Sequence, residues 1–120
     1  MNTRKAPDWL TKTEFAHRGL HAPGAPENSL AAARAAMDAG MGIECDIQRS
    51  LDGEAMVFHD WELGRLTDRA GLASVFSAEE FEAMQYLDSD EHPVRLATLL
   101  EEIAGKVPLL IEIKSRPEYD

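Results

Sequence analysis

The sequence predicts an α/β protein built from alternating strands and helices. Three observations carry this. Gly42 to Gln48 and Val107 to Lys114 alternate apolar and polar residues as strands do, helical spacing with cap signals precedes each of them, and no repeat, low-complexity tract or linker divides the chain into blocks. With 120 residues, 44% of them hydrophobic, the chain suits one domain with a core and offers too few apolar side chains for a membrane span. Twelve Lys and Arg against 22 Asp and Glu leave a net charge of −10 and no basic stripe, which argues against a nucleic-acid groove. The one cysteine, Cys45, can make neither an internal disulfide nor a cysteine-based zinc cage. Between Met1 and Phe15, Arg4 and Lys5 are followed by no apolar stretch long enough for a signal-peptide core, which favours a cytoplasmic protein.

The first strand is expected at Glu14 to His17, running into a polar loop with Gly19, Pro23, Gly24 and Pro26. An Ala-rich helix follows from Asn28 to Ala39, capped by Asn28 or Ser29, striped by Leu30, Ala33 and Met37, and ended by Gly40. In the strand Gly42 to Gln48, alternation places Ile43, Cys45 and Ile47 on one face and Glu44, Asp46 and Gln48 on the other. Asp52-Gly53 signals a hairpin turn, and Ala55 to Phe58 forms the return strand, aiming His59 back toward the acidic strand. Residues 61–95 read as an irregular insertion, broken by a short helix behind the capping box Ser77 to Glu80, with Phe81 and Met84 on its apolar side. A second capping box, Thr98 to Glu101, predicts a helix with Leu96, Leu99, Leu100 and Ile103 on its apolar face and Gly105 at its end. Val107 to Lys114 is then expected as another buried strand.

Glu44 and Asp46 share a strand face, and Glu112 joins them if its strand is a near neighbour in a parallel sheet. Three such carboxylates repel one another unless a hard cation, Mg²⁺ or Ca²⁺, sits among them; bridging to Lys or Arg at the sheet rim is an equally good account of the spacing. His17 and His59 both end strands, and a pair of imidazoles can divide proton removal and delivery near neutral pH. Arg18 suits a forked grip on an anionic oxygen, and Lys114 offers a second cation on the face of Glu112; for each, an ion pair with a nearby acid is the alternative. His21 and His92 fall in exposed loops without a role. Cys45, Met37, Met41, Met56 and Met84 are expected as core or core-edge fillers, and Trp61 as a wall of a substrate cleft.

In order, Ala16-His17-Arg18-Gly19, Pro26-Glu27-Asn28-Ser29, Glu44-Cys45-Asp46-Ile47, Asp52-Gly53 leading to Phe58-His59-Asp60, and Ile111-Glu112-Ile113-Lys114 resemble the glycerophosphodiester phosphodiesterase family. Leu63, Arg65, Leu66 and Thr67 resemble it too, and the likeness runs from about Phe15 to Lys114. Ala97 departs from it, standing where the family usually has Pro before the Thr-Leu of a helix entry. The resemblance implies a TIM (β/α)8 barrel of the phospholipase-C-like phosphodiesterase type that hydrolyses glycerophosphodiesters such as glycerophosphocholine to glycerol 3-phosphate and an alcohol. It further implies Glu44, Asp46 and Glu112 as ligands of a divalent metal ion, Mg²⁺ or Ca²⁺, and His17 and His59 as the acid/base pair. Arg18 and Lys114 become phosphate contacts, with Glu27 and Asn28 shaping the metal site from behind. Of the two imidazoles, His17 is favoured as base and His59 as acid, acting through a cyclic phosphate.

A complete barrel of this type takes roughly 250 residues and eight strands, whereas this chain stops just after a third, at Ser115 to Asp120. It therefore reads as a single incomplete domain over 1–120, the N-terminal part of an enzyme that on its own is poorly active or inactive, with a free sheet edge open to self-association. The competing expectation is a non-enzymatic remnant that survives by pairing with another chain. A phospholipase D-like toxin or phosphoinositide-specific lipase is the enzymatic alternative; the lack of a secretion signal and the segment from Asp52 to Asp60 weigh against it.

Overall fold

A computed structural model describes residues 5–116. Arg4 and the terminal stretch Pro117 to Asp120 lie outside the described residues. The elements are α1 (Asp8–Lys12), β1 (Phe15–His17), α2 (Leu30–Asp38), β2 (Gly42–Arg49), β3 (Ala55–Val57), a 3₁₀ turn (Ala73–Val75), α3 (Ala78–Glu82), β4 (Val94–Arg95), α4 (Leu96–Ile103) and β5 (Leu109–Ile113). β2 is the hub. On one edge β1 pairs with it in parallel, His17 opposite Glu44, and farther along the same edge β3 pairs antiparallel, Val57 opposite Ile47. On the other edge β5 runs parallel, Asp46 opposite Glu112. β1, β2 and β5 thus form a three-strand parallel arc, with α2 and α4 layered on one face.

That face is set by β2's alternation. Ile43 and Cys45 bury against Ala33 and Ala36 of α2 and Leu99 and Ile103 of α4, and an Arg34–Glu102 ion pair ties the two helices together. Small side chains let α2 lie close to the sheet: a Cβ on Gly19, whose φ is +79°, would come within 2.8 Å of Ala32 Cβ. Ser29 caps α2, accepting from the Ala32 N–H at 3.1 Å. Asn28 is no cap; it takes a left-handed conformation (φ 59°) that turns its side chain toward β2.

Residues 61–95 enclose a second apolar cluster, in which Met56, Phe58, Leu63, Ala73, Ala78, Phe81, Met84 and Tyr86 are buried. The segment holds the 3₁₀ turn and α3, which begins at the Ser77–Glu80 capping box, and it returns through β4 to pair with β3. The sequence signalled neither α1 nor β4, both too short for a periodic pattern.

Three expectations need correction. α4 begins at Leu96 with Arg95 at its N-cap, so Thr98 lies inside the first turn, because β4 feeds straight into the helix. Leu100, expected on the apolar face, is 49% exposed, while Leu99 and Ile103 carry the packing. β5, expected to be buried, leaves Ile111 40% and Ile113 75% exposed, because among the described residues β2 is its one strand partner. Trp9 is also exposed, and among the described residues no helix is long and apolar enough to cross a membrane.

The close seating of α2 yields a test. Gly19→Ala puts a methyl against the α2 backbone at a left-handed position and should destabilise the protein by about 1–3 kcal/mol, read as a lowered Tm in thermal denaturation.

Candidate active site

The opposite face of the arc collects the charge. Because β2 alternates, Glu44, Asp46 and Gln48 all project away from the helices, while Cys45 packs among them, its thiol pushed up to about 12 by burial and the flanking acids. The parallel register of β5 brings Glu112 beside Asp46, and one carboxylate oxygen from each of Glu44, Asp46 and Glu112 lies within 4.8 Å of the others. Asp46 is wholly buried, Glu44 largely so, and Glu112 open. Burial first, and the neighbouring Asp46 second, raise the Glu44 carboxyl above the usual carboxylate range.

Two of these acids have unmet acceptors. Glu44 Oε1 and Asp46 Oδ1 are buried without a hydrogen-bond partner, on two of the three carboxylates that converge. Such orphaned oxygens are costly unless something positive joins them, and an all-oxygen donor set fits a hard divalent cation. The residues present therefore fit the ion that the sequence pattern implies.

The loop after β1 braces this cluster from behind. Arg18 and Asn28 both take left-handed backbone conformations, held together by an Asn28 N–H to Arg18 carbonyl bond of 2.8 Å. The Arg18 N–H donates to Glu44 Oε2 at 3.2 Å, and Asn28 Nδ2 donates to Asp46 Oδ2 at 3.0 Å. The Arg18 guanidinium lies between partners: Nη1 reaches Glu27 at 3.0 Å, Nη2 reaches His59 Nε2 at 2.9 Å, and Nε stands 3.6 Å from Asp46 Oδ2.

The two imidazoles arrive on the same edge of β2 from opposite directions. His17 ends β1, its ring mostly exposed and its Nε2 3.4 Å from Glu44 Oε2. His59 follows β3, whose direction opposes β1, so it comes from an antiparallel return and not from the end of a parallel strand. Gln48 pins that segment by donating to the carbonyls of Phe58 at 3.1 Å and Asp60 at 2.7 Å. Lys114 Nζ lies 3.8 Å from Glu112 Oε1 and, with His59, Asp60, Trp61 and Arg116, lines an open cleft in which Arg116 stacks 4.1 Å from the Trp61 ring centre. His21 and His92 are exposed away from these groups.

The residues given a site role from the sequence, His17, Arg18, Glu27, Asn28, Glu44, Asp46, His59, Glu112 and Lys114, thus fall at one rim. Three others there had no assigned part: Gln48, Asp60 and Arg65. Gln48 shares the acidic face of β2, and Arg65 belongs to the Leu63-x-Arg65-x-Thr67 pattern, so each had a signal that a contact alone could interpret. Arg65 binds both oxygens of Asp60, at 2.7 and 3.0 Å, and Glu27 at 2.8 Å.

Crowded acids should make the metal-free site a source of instability. A raised Glu44 pKa means that the folded chain holds this proton more tightly than the unfolded chain, so stability falls as pH rises above the unfolded carboxylate range. Glu44→Gln keeps the acceptor for the Arg18 N–H and should raise Tm in chelator at pH 7 by more than at pH 4.

Residues 17–120 match the Glycerophosphoryl diester phosphodiesterase family. The chain is 40% identical over 71 residues to a glycerophosphodiester phosphodiesterase of Caldanaerobacter subterraneus, covering 58% of this chain and 29% of that protein. It is 36% identical over 96 residues to human glycerophosphodiester phosphodiesterase 1, covering 75% and 29%. Among solved structures, an Oleispira antarctica phosphodiesterase in complex with sn-glycerol-3-phosphate superposes with a TM-score of 0.78 at 30% identity, over 85% of this chain and 44% of that one. The Agrobacterium tumefaciens glycerophosphodiester phosphodiesterase gives 0.77 at 31%, over 86% and 48%. The chain thus spans less than half the length of each, and its three-strand arc is an incomplete portion of their barrel. It belongs to the glycerophosphoryl diester phosphodiesterase family.

Proposed function

We propose that this protein hydrolyses glycerophosphodiesters, glycerophosphocholine among them, to glycerol 3-phosphate and an alcohol, with a divalent cation held by Glu44, Asp46 and Glu112. The observation that carries the reading is the convergence of Glu44, Asp46 and Glu112, two of them with a buried unpartnered oxygen, with His17 against Glu44 and His59 against the Arg18 that braces Asp46. The likeness to a structure holding sn-glycerol-3-phosphate supports the substrate class. Mg²⁺ and Ca²⁺ both suit the donor set; when bound, the cation offsets charge building on the phosphoryl oxygens.

The chain's own residues do the rest. Arg18 and Lys114 draw the phosphodiester to the rim, each leaving an acid partner to do so. Glu27 and Asn28 hold Arg18 and Asp46 in place from behind. One imidazole takes the proton of the adjacent glycerol hydroxyl as that oxygen attacks phosphorus, and the other returns a proton to the departing alcohol. The resulting cyclic phosphate is opened by water with the roles exchanged. This chemistry belongs to the turnover of deacylated phospholipids.

A second reading, a remnant that persists by associating with another copy or chain, draws on the exposure of Ile111 and Ile113 along the open edge of β5. Gel filtration beside a phosphodiesterase assay separates the two: a monomer with metal-dependent turnover supports the enzyme, an inactive oligomer the remnant.

Turnover of glycerophosphocholine should vanish in excess EDTA and return with Mg²⁺ or Ca²⁺. Glu112→Gln should weaken metal binding in calorimetry, and His17→Ala or His59→Ala should each cost about 10²–10⁴-fold in kcat. An unchanged rate in His59→Ala sinks the proposal.

A further inference from the structure

His59 belongs to a closed ring of charged and polar contacts. Arg18 binds Glu27, Glu27 binds Arg65, Arg65 grips Asp60, Asp60 meets His59 Nδ1 at 2.7 Å, and His59 Nε2 returns to Arg18 at 2.9 Å. The donors and acceptors in this ring decide where the imidazole proton sits. A guanidinium has donors only, so the nitrogen facing Arg18 must present a lone pair. An ionised carboxylate accepts only, so the nitrogen facing Asp60 must carry the hydrogen.

We propose that Asp60 and Arg65 are positioning residues that hold His59 as its Nδ1–H tautomer, keeping the Nε2 lone pair directed into the site. Asp60 is suited to this, because Arg65, and after it His59, hold its carboxyl below the usual carboxylate range and so keep it an acceptor. Arg65 is suited too, since its Nε and Nη2 engage the two Asp60 oxygens while the same Nη2 is tethered to the buried Glu27. Without that clamp Asp60, in the loop after β3, is free to rotate and leave the ring to the other tautomer.

The inference rests on the phosphodiesterase reading for its catalytic consequence and adds a direction to it. When the phosphate draws the Arg18 guanidinium away, Nε2 of His59 is uncovered as an acceptor. The hydroxyl O–H bond breaks, its proton passes to Nε2, and its electron pair forms the new P–O bond. The P–O bond to the alcohol breaks, and the alcohol oxygen takes a proton from the second imidazole at the rim, His17. This allotment, His59 as base and His17 as acid, is the reverse of the one favoured from sequence.

The test is ¹⁵N NMR of the histidine rings in the purified protein at a pH where they are neutral, with His59 assigned by its loss in His59→Asn. The expected result is a protonated Nδ1 in the wild type, a shift toward protonated Nε2 in Asp60→Ala and, more weakly, in Arg65→Met, and retention in Asp60→Asn, whose amide oxygen still accepts. In the assay, Asp60→Ala should lower kcat about 10–100-fold with KM little changed, and Asp60→Asn should restore much of it. A wild-type His59 protonated at Nε2, or an Asp60→Ala spectrum identical to wild type, overturns the proposal. Failure of the phosphodiesterase reading would show separately, as absent turnover in a wild type whose tautomer is as expected.

Discussion

The mutual repulsion of carboxylates gathered at the rim of a parallel arc is the constraint around which this structure is organised. Asp46 has no access to solvent, Glu44 has little, and Glu112 is brought to them by register. Burying like charges this close is unfavourable, and the surrounding architecture is arranged to lessen it. The Arg18 backbone N–H, the Arg18 guanidinium and the Asn28 amide all point at the pair. Both residues adopt left-handed backbone conformations to do so, a local strain tolerated because the β1–α2 loop is pinned on either side. Glu44 Oε1 and Asp46 Oδ1 still lack hydrogen-bond partners.

Around that centre, two apolar clusters have different tasks. The cluster between the arc and α2 and α4 fixes the register of β1, β2 and β5, and with it the spacing of the acids. The second cluster fixes His59. Phe58, the residue before it, is fully buried, edge-on to Phe81 and stacked on Tyr86. That burial holds the chain end of β3 against β2, so the segment that looks like an irregular interruption serves as the mount for an imidazole. The salt-bridged ring from Arg18 through Glu27, Arg65 and Asp60 then joins the two regions, linking the orientation of His59 to the residues that brace Asp46.

Much of the site was legible in the chain itself. Two-residue spacing on β2 put Glu44 and Asp46 on one face and Cys45 on the other, because a strand permits no alternative. The Asp52-Gly53 turn foretold the hairpin that carries His59, and the Ser77–Glu80 capping box foretold α3. The misreadings share a cause: they concern what a segment packs against. Thr98 has the pattern of a cap but lies within a helix that β4 has already started, Leu100 matches an apolar stripe yet faces outward, and β5 has the composition of a buried strand without the neighbours that would bury it.

Alternation, turn chemistry and caps are local properties, so residue order alone determined which side chains share a face, where the chain reverses and which imidazoles follow a strand. Only the tertiary structure decided that β5 joins the open edge of β2 in the register that carries Glu112 to Asp46, and that Arg65 closes the ring through Asp60 and Glu27. Those contacts join residues distant along the chain, and their geometry follows from sheet register and packing, which no local pattern encodes.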